Sequence, residues 1–246
     1  MSIPDLAIRE IRARPVVVPL PRPIRTASGD VLDAPLLLVD VLTDAGVMGR
    51  AYAFAYTQLT LRSLAQFLRD IAPELVGKSV SPRARMRQLE KRLKLVGWQG
   101  FAGIVVGTLD MALWDALARA MDVPLAVLLG GEIRPLPAYD SFGMLDHSTD
   151  LPWLEASVAG GFKAIKIKLG AGDIESDVAI VADVRRTIGD GVRLMLDFNQ
   201  SQTTASAVER IRRLQDFDLS WVEEPVAAED LVGHRAVREC VRPVPI

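Results

Sequence analysis

Apolar and polar positions along the chain change rhythm three times. The first apolar runs, over residues 7–20, 35–42 and 47–54, are strand-like, with Asp44-Ala45-Gly46 a turn signal between the last two. Residues 21–33 are rich in Pro, Gly, Ser and Asp and are expected to form a mobile loop. Apolar residues then recur at three and four positions over 59–71, 82–95 and 103–121, which predicts helices; Ser81-Pro82 supplies a cap and first-turn pair for the second. A small antiparallel sheet followed by helices is an α+β unit, assigned here to residues 1–131.

From residue 132 the pattern becomes short strand, helix, short strand. Strands are expected at 137–141, 164–169, 193–199 and 219–223, with a fifth beginning at Pro243; helices are expected at 150–159, 174–188 and 204–215. Such alternation implies parallel strands joined by crossover helices. Ser141, Lys168, Asp197 and Glu223 close the four strands at intervals of 27, 29 and 26 residues. Near-equal units with polar residues at each strand's C-terminal end predict a β/α barrel, whose chemistry sits on that rim. The competing fold, an open doubly wound sheet, would carry a glycine-rich first turn; GxGxxG is absent, and Gly170-Ala171-Gly172 reads as a loop. The expected fold class is therefore α/β: an α+β capping domain (1–131), then an incomplete β/α barrel (132–246). A closed barrel takes about 250 residues, and 115 remain from residue 132, so four units and the start of a fifth are expected, with a strand edge left open.

Composition narrows the function classes. Half of the 246 residues are hydrophobic, and 29 basic residues face 31 acidic ones for a net charge of −2. That balance makes no electrostatic case for nucleic acid or an anionic membrane. The opening residues do not read as a signal peptide, because charges and prolines interrupt every apolar stretch. The run at 34–39 is too short to span a bilayer. Cys240 is the one cysteine, which excludes an intrachain disulfide and a thiolate metal site, suits a reducing cytoplasm, and reads as a buried core residue.

The strand ends carry the chemistry. Lys166-Ile-Lys168 sets two lysines on one strand face, since side chains alternate with period two. Two neighbouring ammonium groups at a barrel rim are expected to depress lysine pKa and make a base. Asp197-Phe198-Asn199 repeats the geometry with a carboxylate and an amide, and Trp221-Val222-Glu223-Glu224-Pro225 with a second carboxylate. Glu223 is expected to face the barrel axis, with Glu224 behind it. Two carboxylates from adjacent strand ends are the minimum of an oxygen-donor site for Mg²⁺. Taken singly, each motif also reads as a solvated edge or a rim salt bridge; their recurrence at one spacing favours a shared site.

These motifs, KxK, DxN and WxEEP in that order after an α+β region, resemble the enolase superfamily, mandelate racemase subgroup, over essentially the whole chain. The stretches RTASG (25–29), FAYT (54–57), AYDS (138–141) and FNQS (198–201) look closest to that subgroup. The resemblance implies that Lys168 removes the proton α to a substrate carboxylate, with Lys166 beside it lowering its pKa and touching that carboxylate. It implies that Asp197 and Glu223 bind Mg²⁺, that Asn199 and Ser141 hold the substrate carboxylate region, that residues 21–33 close over the substrate, and that Tyr56 lines the pocket. It implies a small carboxylate substrate and a homo-oligomer in the full-length form. The family's third metal ligand and its second, His–Asp base would follow residue 246; His147 and His234 fall away from strand ends and read as surface or packing residues.

Three functions follow as expectations. The first is a 2-hydroxy acid racemase whose activity is lost or nearly lost in a truncated chain. The second is a sugar-acid dehydratase that begins with the same proton abstraction; the apolar side chains of Ile24, Ala27, Val31 and Leu32 favour an aromatic or small apolar substrate instead. The third belongs to another class, a non-catalytic remnant or interaction protein that pairs through the open barrel edge.

Overall fold

The computed structural model describes residues 5–27 and 29–246. Met1–Pro4, at the start of the segment read as lacking a signal peptide, and Ser28, inside RTASG and the expected loop, lie outside the described residues. Two compact units emerge: residues 1–21 with 33–135, and residues 22–32 with 136–246.

A three-stranded sheet in the order β1 (Ile8–Thr26), β2 (Gly29–Thr43), β3 (Met48–Phe54) lies in the first unit except for the stretch of β1 and β2 within residues 22–32, which belongs to the second. β2 and β3 are antiparallel, registered from Leu36 opposite Phe54 to Leu42 opposite Met48. Residues 21–33, expected as a mobile loop, are therefore largely strand. The proline-rich sequence misleads because Pro15, Pro19, Pro21 and Pro23 all occupy odd positions. Backbone N–H groups alternate sides along a strand, so these prolines remove donors from one side only, which an edge strand such as β1 tolerates.

Helices α1 (Gln58–Ile71), α2 (Pro82–Arg92), α3 (Phe101–Ala120) and the single turn α4 (Leu125–Leu128) follow. Thr57 caps α1 by accepting the Leu59 N–H. α3 is long and apolar enough to cross a membrane by length and composition. Its Val105, Val106, Leu109, Ala112, Leu113 and Ala116 instead join the buried core with Leu37, Val39 and Val41 of β2 and Leu64 and Leu68 of α1. Gly49 of β3 permits this packing: an added Cβ would overlap the Ala112 carbonyl and the Ala116 backbone nitrogen.

The second unit is a four-stranded parallel sheet in sequence order, β4 (Asp140–Met144), β5 (Ala164–Lys168), β6 (Arg193–Asp197) and β7 (Leu219–Glu223). Its helices are α5 (Leu151–Ala159), α6 (Ile174–Ile188), α7 (Thr204–Leu214) and α8 (Leu231–Cys240). Ile165, Ile167, Leu194, Leu196 and Val222 face a core with Leu154, Val181, Val184, Ala207 and Ile211. Alternation sends the intervening residues, lysines and acids among them, to the other face.

Three expectations shift. The first strand of this sheet starts at Asp140 rather than 137, after the prolines at 135 and 137. No strand forms at Pro243; the segment makes a backbone contact, the Val222 N–H donating to the Pro245 carbonyl at 2.9 Å. Cys240 is exposed at the end of α8 rather than buried.

Candidate active site

Register brings the strand ends together. Ser141, Lys166, Met195 and Trp221 lie in one cross-strand row, and Lys168, Asp197 and Glu223 in the next row toward the C-terminal rim. The Lys168 ammonium donates to Asp197 Oδ2 at 2.5 Å. Lys166 bonds Glu223 Oε1 and stands 3.6 Å from Asp197 Oδ2. Asp197 and both lysines have little solvent access, while the Glu223 side chain is nearly a third exposed. One alternating lysine–carboxylate chain thus crosses three adjacent strands.

Charge follows this pairing. Burial pushes the Lys166 ammonium down, but the hydrogen bond and charge of Glu223, joined by Asp197 and Tyr139, hold it above its ordinary value. The expected depression is overturned at Lys166, because the hydrogen bond and charge of Glu223 with the charge of Asp197 outweigh burial. Burial raises the Asp197 carboxyl, and the Lys168 hydrogen bond, the Asn199 N–H and both lysine charges outweigh it and hold it below the usual range.

The strand ends turn sharply. Asn199, Gln200 and Glu224 adopt left-handed backbone conformations (φ 46°, 64° and 48°), uncommon for residues other than glycine. The turn at Glu224 separates the consecutive glutamates: Glu223 faces the lysines, while Glu224 is exposed, 3.4 Å from Asn199 Nδ2. The Asn199 backbone N–H and Nδ2 both donate to Asp197 Oδ1, at 2.8 and 2.9 Å. Asn199 Oδ1 is buried without a hydrogen-bond partner.

Asp197, Glu223, Lys166, Lys168 and Asn199 are therefore gathered at one place. Ser141 is in register with Lys166 and exposed on β4. Tyr56 belongs to the first unit, where it is exposed and its ring packs on Phe54 with centroids 4.9 Å apart. His147, exposed, meets Asp183 at 2.6 Å, and His234 meets the Asp230 carbonyl at 3.0 Å; neither reaches the lysine–carboxylate chain.

Two aromatic residues that the quoted motifs contain, Tyr139 and Trp221, were given no role by sequence reasoning. Tyr139 lies with Lys166 Nζ 5.6 Å from its ring centroid and meets Trp221 edge-on at 5.7 Å. Trp221 Nε1 donates to Glu223 Oε2 at 3.1 Å, which fixes the carboxylate's second oxygen. Period-two alternation could have found Trp221, two residues before Glu223 on the same face.

The donor set suits a hard divalent cation. Asp197 and Glu223 are in-register carboxylates, and Asn199 Oδ1 is a buried amide oxygen lacking a partner. Among the described residues no group of three His, Cys, Asp or Glu could hold a metal. Mg²⁺ commonly uses one or two protein carboxylates and keeps its remaining positions for water and substrate oxygens, so the residues present fit it.

An antiparallel sheet with helices, followed by a parallel β/α sheet bearing lysines and acids on its C-terminal rim, defines an enolase-like chain. Residues 8–130 match the Mandelate racemase / muconate lactonizing enzyme N-terminal domain, and residues 152–246 match the Enolase C-terminal domain-like family. The chain belongs to the enolase superfamily, in the mandelate racemase / muconate lactonizing enzyme subgroup. A crystal structure of an enolase from Bradyrhizobium, complexed with magnesium and mandelic acid, is 46% identical with a TM-score of 0.95, covering 100% of this chain and 68% of that one. The 3,6-anhydro-alpha-L-galactonate cycloisomerase of Streptomyces coelicolor is 32% identical, over 94% of this chain and 66% of its own. The L-Ala-D/L-Glu epimerase of Bacillus subtilis is 28% identical, over 95% and 64%. The chain spans about two thirds of the length of these curated relatives.

Proposed function

We propose that this chain carries the Mg²⁺-assisted, lysine-based machinery that removes the proton α to the carboxylate of a small 2-hydroxy acid, in the manner of a mandelate racemase. The observation that carries the reading is the alternating chain Lys168–Asp197–Lys166–Glu223 across three neighbouring strand ends. Asp197 and Glu223 would hold magnesium. When bound, the metal supplies positive charge against the second negative charge that develops on the substrate carboxylate as the α-proton leaves. Lys168, in its neutral form, would accept that proton at Nζ, and Asp197 of the neighbouring strand holds the amine by its hydrogen bond. Lys166 provides the ammonium that faces the substrate carboxylate. Asn199 orients Asp197 through two hydrogen bonds, and its unpartnered Oδ1 points to a ligand hydroxyl or to the cation. Ser141 and, by resemblance, Tyr56 are assigned to substrate contacts.

Likeness to the magnesium- and mandelate-bound structure supports an aromatic 2-hydroxy acid. Likeness to the anhydrogalactonate cycloisomerase favours a second reading, a sugar-acid substrate whose proton abstraction leads to loss of a β-substituent, as in a dehydratase. Solvent exchange separates them. In D₂O with Mg²⁺, each enantiomer of mandelate and a panel of acid sugars is followed by NMR. Exchange of the α-proton of one mandelate enantiomer, lost in Lys168→Ala, is expected. Reaction of acid sugars alone transfers the assignment to the second reading, and exchange that survives in Lys168→Ala rejects both. Exchange needs one base on one side of the substrate, so it reads the Lys168 step by itself.

A further inference from the structure

Behind the Lys168 strand end lies a buried ion pair that the proposed chemistry does not use. Asp177, near the start of α6, and Arg210 of α7 bond each other, with side chains 2% and 11% exposed. Arg210 Nη2 donates to the Gly172 carbonyl at 2.7 Å, and the Gly170 backbone N–H is among the groups that lower the Asp177 carboxyl. Gln202 Nε2 donates to the Gly170 carbonyl at 2.9 Å, while Gln202 Oε1 accepts from Ser206 at 2.8 Å. Immediately before this loop, the Leu169 N–H donates to the Asp197 carbonyl at 3.1 Å. The residues directly after Lys168 are thus tied on one side to α6 and α7 and on the other to the loop that follows Asp197.

Energetics argue against a purely stabilising role. Two charges taken from water repay their desolvation poorly, and isosteric apolar replacements of buried pairs are often neutral or better. Burial raises the Asp177 carboxyl even against the pull of Arg210, and Arg210 Nε is left without a partner. What the pair does supply is direction, because one guanidinium spans a carboxylate and a backbone carbonyl with two different nitrogens.

We infer that Asp177 and Arg210 are positioning residues that lock the turn at Gly170–Gly172 and thereby fix the Lys168 ammonium against Asp197. This assignment rests on Lys168 being the base, but its test requires neither catalysis nor metal. Amide hydrogen exchange is measured on the full chain as wild type, Arg210→Lys and Asp177→Leu/Arg210→Met. In both variants the Leu169 amide, which donates to the Asp197 carbonyl, should exchange about tenfold faster or more, while those of Leu194, Leu196 and Val222 keep their protection. Acylation of Lys168 by a small acid anhydride, scored by peptide mass against Lys163 in the same sample, should rise in parallel. Lysine keeps the charge but has no fork, so failure of Arg210→Lys to rescue separates geometry from charge neutralisation. Wild-type exchange of the Leu169 amide in Arg210→Lys overturns the inference, as does an unchanged Lys168 acylation ratio. Should the double variant fail to fold, the lysine variant decides alone. A wild-type chain with the clamp but without α-proton exchange would reject the proposed function and leave the clamp intact.

Discussion

Lys168 ends β5 with its ammonium 2.5 Å from Asp197 Oδ2, so charge and proton transfer can be separated at this one position. Arginine would keep a cation beside Asp197 yet cannot surrender a proton near neutral pH. Lys168→Arg should therefore lower α-proton exchange by about a hundredfold or more, the scale of a lost general base. Its thermal midpoint should stay close to wild type; equal losses of exchange and of folded protein would instead mark a structural lysine. Trp221 tests the other end of the chain. Its indole is the donor that fixes Glu223 Oε2, and outer hydrogen bonds to a metal-holding carboxylate set its orientation. Trp221→Phe keeps the ring against Tyr139 and deletes the donor. Magnesium affinity by calorimetry should fall by about tenfold; an unchanged affinity would remove Trp221 from the site.

Elements were legible where one physical signal dominated. AIKIK and RLMLD alternate so that one face could be read as core and the other as bearing lysine and acid before any coordinates, whereas in LSWVE the register shift after Leu219 breaks the alternation and puts Leu219 in the core. α6 was legible because Asp173 caps it, accepting the Ser176 N–H at 2.7 Å, and Gly189 stops it with φ 74°. Residues 21–33 were not legible, because proline content signals a loop unless the strand's edge position is already known. Tertiary pairs such as Asp177–Arg210 leave no local pattern at all, since 33 residues separate them. At the β3–α3 contact, Gly49 predicts a large local effect. Gly49→Ala places a methyl group inside the α3 backbone, which neither element can yield without losing its own hydrogen bonds. Overpacking of this kind should cost about 1–3 kcal/mol or more in urea unfolding. Full stability in that variant would mean that β3 and α3 stand further apart than described.

For the whole molecule, the site lies in one of two units that each have their own core. Whatever binds at Asp197 and Glu223 must therefore stabilise the unit that contains β5, β6 and β7. Magnesium bound there would compete with two ammonium groups for the same carboxylate oxygens, so its effect would be net of the lysine pairs it displaces. Binding to the folded state alone adds about 2.7 kcal/mol at a free concentration one hundred times the dissociation constant. Added Mg²⁺ should accordingly slow amide exchange at residues 195–199 and 221–223, with little change across the Leu36–Phe54 sheet register of the other unit. EDTA should reverse the effect, and Glu223→Gln should weaken it while leaving the Lys168–Asp197 contact in place. Equal protection of both units would point to non-specific screening of the acidic residues. The same protection in Glu223→Gln as in wild type would place the metal somewhere other than these strand ends.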